Sequence, residues 1–210
     1  MVSLQEIIEE PDSFASDPEE RLTISGVSWE SFEKLLSKLE DNSHYRVTYL
    51  DEILEIVSPS QKHETVKSRI GFLLEFYFCK KGIKHTPMGS TTLKNRLKKA
   101  GGEPDECYCI GDKKDIPDLA IEVTITSGSI EKLETYLRLG VKEVWFWKDN
   151  QFRLYYLREK VPAKFLETYG YEQIQNSILV PELNIDFFTE CVAIADRVEA
   201  WTRFEQGIAA

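Results

Sequence analysis

The fold is decided by residues 103–147, EPDECYCIGDKKDIPDLAIEVTITSGSIEKLETYLRLGVKEVWFW. Within this stretch, residues 105–110 and 118–125 have the apolar pattern of two strands separated by a polar turn. A helix is predicted over residues 129–139, and the glycine that follows should end it, since glycine readily adopts the left-handed conformation. Residues 144–147 then form a short apolar strand.

The segments on either side predict further helices and strands. In chain order they are a helix over residues 28–39, strands over 45–50 and 53–57, a helix over 62–79, short strands near 83–87 and 91–94, a basic glycine-containing loop over 95–103, a strand over 152–157 and a last helix with Phe187, Cys191, Ile194, Val198 and Trp201 at helical spacing. This irregular alternation predicts an α/β (α+β) fold with a mixed central sheet flanked by helices, and not a doubly wound fold.

Charge is unevenly distributed along the chain, whose net charge is -10. Residues 61–100 carry ten basic and two acidic side chains, whereas the segments before and after them are acidic. A basic face can attract phosphates within an acidic protein, because salt screens each charge beyond about 10 Å. A helix and loop with a solvated basic face explain the segment equally well.

Length and composition favour one domain with small terminal additions. We expect an acidic extension over residues 1–27 that is irregular for most of its length, a main domain over 28–190 and a helical extension over 191–210. The N-terminus is acidic and unlike a secretion signal, and no apolar run approaches the roughly 20 residues that cross a membrane. The four cysteines do not suggest a disulfide framework, so a cytoplasmic location is expected.

Carboxylates on the two strands of the deciding stretch indicate a metal site. Asp118 and Glu122 share one face of their strand but lie roughly 13 Å apart, too far to bind one ion. Glu122 stands among apolar residues, where an acid is costly unless it is paired or metal-bound. Asp105 opens the preceding strand, and neighbouring strands lie about 4.8 Å apart, so aligned carboxylates can bind one divalent cation. A structural ion pair at the end of the sheet is the alternative for Glu122.

A cation near the metal would assist phosphodiester cleavage, because negative charge develops during the reaction. Thr124 occupies the strand position two residues after Glu122, so Lys132, early in the following helix, is the candidate. Other interpretations stay open: Lys132 as a solvated helix residue, Asp118 as a strand-entry residue, and the neighbouring His63 and Glu64 as ordinary exposed residues. The spacing of Cys107 and Cys109 is too short for a zinc site and indicates buried free thiols.

Several segments resemble the Uma-two family of endonucleases, within the PD-(D/E)XK superfamily of restriction-enzyme-like nucleases. They are the hairpin and turn YLDEILEIVSPS at 49–60 followed by His63 and a long helix, the dipeptide Pro104-Asp105, PDLAIEV at 117–123, and EKLETYLRLGVKEVWFW at 131–147. The resemblance covers roughly residues 28–190. It implies a restriction-endonuclease-like mixed central sheet flanked by helices, here with an added C-terminal helix.

The resemblance also implies a nuclease site that uses Mg2+ or Mn2+. By position, Asp105 and Glu122 would be metal ligands and Lys132 the catalytic lysine. Glu64 would be a further acidic ligand or would orient water. The residues that would support the site are His63, Asp118 and Tyr136.

The favoured hypothesis is a metal-dependent endonuclease acting on DNA, with homodimerisation expected because two symmetric sites can cut both strands. The residues expected to contact the phosphate backbone are Lys80, Lys81, Lys84, Lys94, Arg96, Lys98 and Lys99. A catalytically inactive DNA-binding or regulatory module on the same fold is the first alternative. An oligomeric interaction protein, associating through the Trp-rich strand and C-terminal helix, is the second.

Overall fold

The computed structural model describes residues 19–39, 45–124, 132–160 and 163–209. The strands are β1 (Glu20–Ser25), β2 (Arg46–Leu50), β3 (Ile53–Ser58), β4 (His85–Pro87), β5 (Leu93–Asn95), β6 (Ala100–Gly102), β7 (Glu106–Ile110), β8 (Leu119–Thr124), β9 (Glu143–Lys148), β10 (Gln151–Leu157) and β11 (Tyr171–Ile174). The α-helices are α1 (Trp29–Leu39), α2 (Gln61–Lys80), α3 (Lys132–Leu139), α4 (Ile185–Ala193) and α5 (Arg197–Ile208), and a 3-10 helix covers Ala163–Thr168.

The strands form two sheets, and the predicted mixed α/β (α+β) fold is confirmed. One sheet has six strands in the order β11-β10-β9-β8-β7-β4, and the other has five in the order β1-β3-β2-β6-β5. The five-stranded sheet is antiparallel. In the six-stranded sheet β8 and β9 are parallel, while the other neighbours are antiparallel. A parallel pair needs a crossover connection, and α3 lies in the one between β8 and β9.

Strand β8 is buried on both faces, which explains its nearly continuous apolar sequence. Its Ile121 belongs to the largest core cluster, together with residues of α2, α4 and α5. On the opposite face Ala120 shares a second core cluster with Leu133 and Tyr136 of α3. The buried carboxylate of Glu122 is therefore on the α3 side of the sheet.

The first turn of α2 is fixed by a side-chain cap. Ser60 Oγ accepts a hydrogen bond from His63 N at 3.1 Å, which satisfies one backbone donor that the helix itself leaves unpaired. The predicted helix is confirmed to within a residue at each end. This cap places His63 and Glu64 at the start of the helix, next to the end of β3.

The two turns of the β2–β3 and β9–β10 hairpins share an unusual backbone. Asp51 and Glu52 have φ values of 44° and 69°, and Asp149 and Asn150 have 53° and 57°. Paired left-handed residues match the twist of antiparallel strands, and Asp and Asn tolerate this conformation better than most residues. Both hairpins agree with the sequence prediction.

Two segments expected to be irregular contain strands. Residues 20–25 form β1, an edge strand that pairs antiparallel with β3, with Leu22 opposite Ile56. Every residue of β1 is exposed, so the strand carries no alternation of buried and exposed side chains from which it could be predicted. The basic loop contains β6, whose Ala100–Gly102 sequence offers too few side chains to signal a strand. Residues 1–18 and 125–131, including the predicted helix start at Ser129, lie outside the described residues.

The prediction of one last helix is wrong, because the chain bends between α4 and α5. Asp196 Oδ1 accepts a hydrogen bond from Glu199 N at 2.8 Å, so it caps a new helix. The Arg69 guanidinium of α2 donates to Val192 O at 2.7 Å and Ala195 O at 3.0 Å, and thereby holds the bend. Val198, expected on the buried stripe, is 68% exposed. No helix among the described residues is long and apolar enough to span a membrane.

Gly101 allows β6 to approach α1 closely. A Cβ atom at this position would lie 2.6 Å from Phe32 Cζ, whereas one at Gly102 would meet Thr135 Cγ2 at an ordinary 3.5 Å. We expect Gly101→Ala to lower the free energy of unfolding by about 1–3 kcal/mol through overpacking. Gly102→Ala, the matched control, should change it by less than about 1 kcal/mol. Urea denaturation would measure both, and equal effects would contradict the close approach.

Candidate active site

Asp105 and Glu122 come together at the end of the pair β7 and β8. The register pairs Glu106 with Ile121 and Cys107 with Ala120, and one further step places Asp105 opposite Glu122. Both residues are only 3% exposed. Asp105 Oδ2 also accepts a hydrogen bond from Val123 N at 2.7 Å, which ties its carboxylate to the edge of β8. The predicted adjacency of these two acids is present in the structure.

Helix α3 supplies the partners of the Glu122 carboxylate. Lys132 Nζ lies 2.6 Å from Glu122 Oε2, and the Tyr136 hydroxyl donates a hydrogen bond to Oε1. Burial raises the pKa of Glu122, and the Lys132 ammonium opposes this effect without cancelling it. Burial alone would lower the pKa of Lys132, but the Glu122 and Asp105 carboxylates outweigh it and raise that pKa. The long side chain of Lys132 thus reaches the sheet from the helix, as the sequence predicted.

His63 of α2 bridges Asp105 and Glu64. Its Nε2 lies 3.1 Å from Asp105 Oδ2, and its Nδ1 lies 3.4 Å from Glu64 Oε1. Burial acts to lower the pKa of His63, but its hydrogen bonds to the two carboxylates raise it to about 9. Although burial disfavours its charged form, Asp105 has a lowered pKa because of His63, Lys132 and the Val123 N–H.

Glu64 differs from the two buried acids in its exposure to solvent. Its side chain is 45% exposed, and Lys67 Nζ lies 3.3 Å from its Oε2. The hydrogen bond from His63 is the main cause that lowers the pKa of Glu64 to about 2. Glu64 is therefore linked to Asp105 through His63, and it presents an ionised carboxylate at the surface.

Asp118 is not brought to this group. It lies at the beginning of β8, where its Oδ2 accepts a hydrogen bond from Ile110 N at 2.9 Å and its Oδ1 lies 3.0 Å from Lys142 Nζ. Lys114 also pairs with it. These contacts give Asp118 a structural role at the opposite end of the strand from Glu122.

Two arginines and one glutamate near the carboxylates were not predicted from the sequence. Arg46 at the start of β2 is 9% exposed, with Nε 3.8 Å from Asp105 Oδ1 and Nη2 3.6 Å from Glu64 Oε1. Arg21 of β1 and Glu19, directly before that strand, line the same narrow cavity as Asp105 and Glu122. Arg46 lies within the strand predicted over residues 45–50, but no local pattern distinguishes a buried arginine from one facing solvent there.

The narrow cavity between these side chains has a volume of about 20 Å³. A volume of this size holds roughly one water molecule. The two buried acids and the cations Arg46 and Lys132 all line the cavity. A larger ligand would therefore have to approach from outside and displace some of these side chains.

The basic residues predicted to contact DNA lie away from this cavity. Lys80 and Lys81 are at the C-terminal end of α2, roughly 26 Å along the helix from His63. Several of the others form ion pairs with acids of neighbouring elements: Lys84 with Asp112, Lys94 with Glu33, Arg96 with Glu30 and Lys99 with Glu52. Lys98 lies in the β5–β6 turn, where its N–H donates to Asn95 Oδ1. These basic residues are not gathered on one surface next to the carboxylates. Their contact with DNA stays a prediction.

The donor set of Asp105 and Glu122 fits a hard divalent cation. Two carboxylates from adjacent strands provide oxygen ligands, and Mg2+ commonly completes its shell with water and a substrate phosphate. Among the described residues no group of three or more His, Cys, Asp or Glu side chains is arranged to hold a metal ion. Cys107 and Cys109 are buried free thiols, as predicted, and Cys107 Sγ donates to Gly89 O.

Comparison with known proteins identifies the family to which this arrangement corresponds. The model of the Uma2 family, described as "Putative restriction endonuclease", matches residues 29–187. A search of curated proteins found no match. The matched region begins at the first residue of α1 and ends within α4, so β1 and α5 lie outside it. The resemblance inferred from the sequence is confirmed.

The ion pair of Lys132 with Glu122 should be important for stability. We expect Lys132→Met to lower the free energy of unfolding by about 3–5 kcal/mol, because it leaves a buried carboxylate without its cation. Lys114→Met is the matched control; the Lys114 side chain is 44% exposed and Asp118 retains Lys142, so a loss below about 1 kcal/mol is expected. Urea denaturation of both variants is the measurement.

A second substitution separates charge from packing at this position. Adding Glu122→Gln to Lys132→Met removes the uncompensated charge, so it should recover most of the lost stability. A Lys132→Met variant as stable as Lys114→Met would show that the pair is not effectively buried.

Proposed function

Because the chain belongs to the Uma2 family, we propose that it is a metal-dependent endonuclease that hydrolyses phosphodiester bonds of DNA. One observation carries the proposal: the carboxylates of Asp105 and Glu122 are buried side by side with Lys132 in contact. Burying two acids together is costly for a folded protein. A site that binds a divalent cation and a phosphate gives this costly arrangement a function.

Asp105 and Glu122 would hold Mg2+ or Mn2+ through their carboxylate oxygens. When bound, the cation supplies a Lewis acid that polarises the phosphodiester and lowers the pKa of the attacking water. Val123 N and His63 orient the Asp105 carboxylate, while the Tyr136 hydroxyl orients that of Glu122. These contacts fix the spacing of the two acids before a ligand arrives, so less reorganisation is needed on binding.

Lys132 would stabilise the negative charge that develops on the phosphate during hydrolysis. Its ammonium faces the same cavity as both acids, and the first turn of α3 holds it there. Arg46, which lines the same cavity, adds a second cation near Asp105. An anionic phosphate would therefore meet two positive charges.

Glu64 would orient water at the entrance of the site. It is ionised and partly exposed, and the His63 ring lies between it and Asp105, with Nδ1 3.4 Å from Glu64 Oε1. His63 would act as a positioning residue, because both of its ring nitrogens face carboxylates. A water held by Glu64 would lie on the solvent side of the two acids, because Glu64 is partly exposed whereas they are buried.

The remaining features of the proposal concern the whole molecule. The nuclease domain would cover residues 28–190, with residues 191–210 as a helical addition. Homodimerisation would provide two symmetric sites, one for each strand of a DNA duplex. The basic residues of α2 and the β5–β6 turn would contribute salt-sensitive, sequence-independent contacts to the phosphate backbone.

A DNA-binding or regulatory module without catalysis is the second candidate. It is favoured by the contacts of Glu122, since Lys132 and Tyr136 engage both of its carboxylate oxygens. Such a closed network can stabilise the fold with no metal present. The position on β8 where a nuclease of this kind would be expected to carry a lysine is occupied by Thr124. This substitution also favours the non-catalytic module.

Cleavage of supercoiled plasmid DNA in Mg2+ or Mn2+ tests the proposal. We expect nicking that EDTA abolishes and that Glu122→Gln reduces by roughly a hundredfold or more, because a metal ligand is lost. Asp118→Asn is the matched control, as it alters a buried acid on the same strand that does not reach the site. It should leave the nicking rate within a factor of about three once folding is verified by circular dichroism.

The outcomes distinguish the two candidate functions. Equal rates for Glu122→Gln and the wild-type protein would contradict the assignment of the site. Absence of cleavage of both plasmid and single-stranded DNA, combined with DNA binding that is independent of metal, would support the non-catalytic module.

A further inference from the structure

Strand β1 brings an arginine to the candidate active site from outside the region that the family model matches. That region begins at residue 29, whereas β1 covers Glu20–Ser25. Arg21 of this strand lines the same cavity as Asp105 and Glu122. The N-terminal part of the chain therefore adds a cation to a site whose other Lys and Arg residues, Arg46 and Lys132, belong to the family region.

The register of the five-stranded sheet explains how Arg21 reaches the cavity. Val57 of β3 lies opposite Arg21 of β1 and also opposite Arg46 of β2. Residues opposite each other in antiparallel strands project from the same face of the sheet. Arg21, Val57 and Arg46 therefore form one row across three strands, and all three line the cavity. Because neighbouring strands lie about 4.8 Å apart, roughly 10 Å separates the Cα atoms of the two arginines.

Exposure to solvent distinguishes Arg21 from the two cations of the family region. The Arg21 side chain is 27% exposed, whereas the side chains of Lys132 and Arg46 are 19% and 10% exposed. An anion in solution therefore has more access to the guanidinium of Arg21 than to the other two cations.

Two carboxylates hold the Arg21 guanidinium. Its Nη1 lies 2.5 Å from Glu55 Oε2, and its Nη2 lies 3.3 Å from Glu19 Oε1. The pair with Glu55 is partly open to solvent, where ion pairs contribute little stability. Since a guanidinium binds phosphate oxygens in the same planar geometry as carboxylate oxygens, a phosphate can take the place of the Glu55 carboxylate on Arg21.

We propose that Arg21 binds the DNA phosphate next to the one that lies at the Asp105 and Glu122 site. This inference rests on the proposed nuclease function and adds a substrate-binding residue to it. Lys132 and Arg46 contact the phosphate that is cleaved, and Arg21, at the outer end of the row, contacts its neighbour on the same strand. A contact of this kind adds affinity without reading the base sequence.

Fluorescence anisotropy with a fluorescein-labelled DNA duplex two helical turns long tests this contact. The titration is made in Ca2+, with a gel to verify that the DNA stays intact. Arg21→Met removes the charge and keeps a long unbranched side chain. We expect it to weaken binding roughly tenfold. The slope of log affinity against log salt concentration should fall by about one, because one phosphate contact is lost.

Arg158→Met is the matched control. Arg158 is also a partly exposed arginine in an ion pair, with Glu172, but it does not line the cavity. This variant should bind DNA within a factor of about two of the wild-type protein. Arg21→Lys keeps the positive charge and should recover most of the affinity that Arg21→Met loses. Circular dichroism verifies that each variant is folded.

Glu19→Gln tests the same contact with Arg21 in place. This variant removes a carboxylate that competes with phosphate for the guanidinium. We expect binding to become roughly threefold tighter, and the gain to be smaller when Arg21 is also replaced by Met. A pair of Arg21 and Glu19 that only stabilises β1 would give no such gain.

Several results would overturn the proposal: no binding of the duplex, equal affinities of Arg21→Met and the wild-type protein, an equal loss in Arg158→Met, an unchanged salt slope, or no gain in Glu19→Gln. These results are independent of the nicking assay. Binding that depends on Arg21 in a protein that cleaves no DNA would retain the contact and contradict only the nuclease proposal. Nicking that depends on Glu122, with DNA affinity unaffected by Arg21→Met, would do the opposite.

Discussion

The burial of two neighbouring carboxylates, Asp105 and Glu122, is the constraint on which the rest of the structure depends. Each would be strongly disfavoured in the core without positive partners and hydrogen-bond donors. Lys132 comes from α3, His63 from α2 and Arg46 from β2. Because each partner belongs to a different element, the acids are compensated only when both helices and both sheets have assembled. The chemistry proposed for the site and the stability of the fold therefore rest on the same contacts.

The path of the chain explains how these partners converge. The parallel pairing of β8 with β9 requires a crossover, and α3 within it lies against the face of β8 that carries Glu122. On the other side, the cap at Ser60 starts α2 directly after β3 and so directs His63 towards Asp105. The two helices that supply the cations thus begin near the same end of β8. The ion pairs of Asp118 lie at the other end of that strand.

The terminal parts of the chain modify this core where the family comparison does not extend. Strand β1 brings Glu19 and Arg21 to the edge of the carboxylate cavity. The bend between α4 and α5 lies against α2, and Arg69 of α2 holds it in position. The N-terminal addition therefore lines the carboxylate cavity, whereas the C-terminal addition packs against α2.

The sequence by itself determined the elements whose signals are local. Apolar periodicity defined α1, α2 and most long strands, and the alternation of β8 with the position of Asp105 identified the paired acids. Arg46 and Glu19 could not be assigned, because their proximity to Asp105 arises from contacts between segments distant in the chain. The same reason explains why β1, fully exposed, and the bend at Asp196, which preserves helical spacing across it, were not predicted. Only the tertiary structure decided that Asp118 stands apart and that the basic segment is divided among separate ion pairs, since each depends on the packing of elements far apart in sequence.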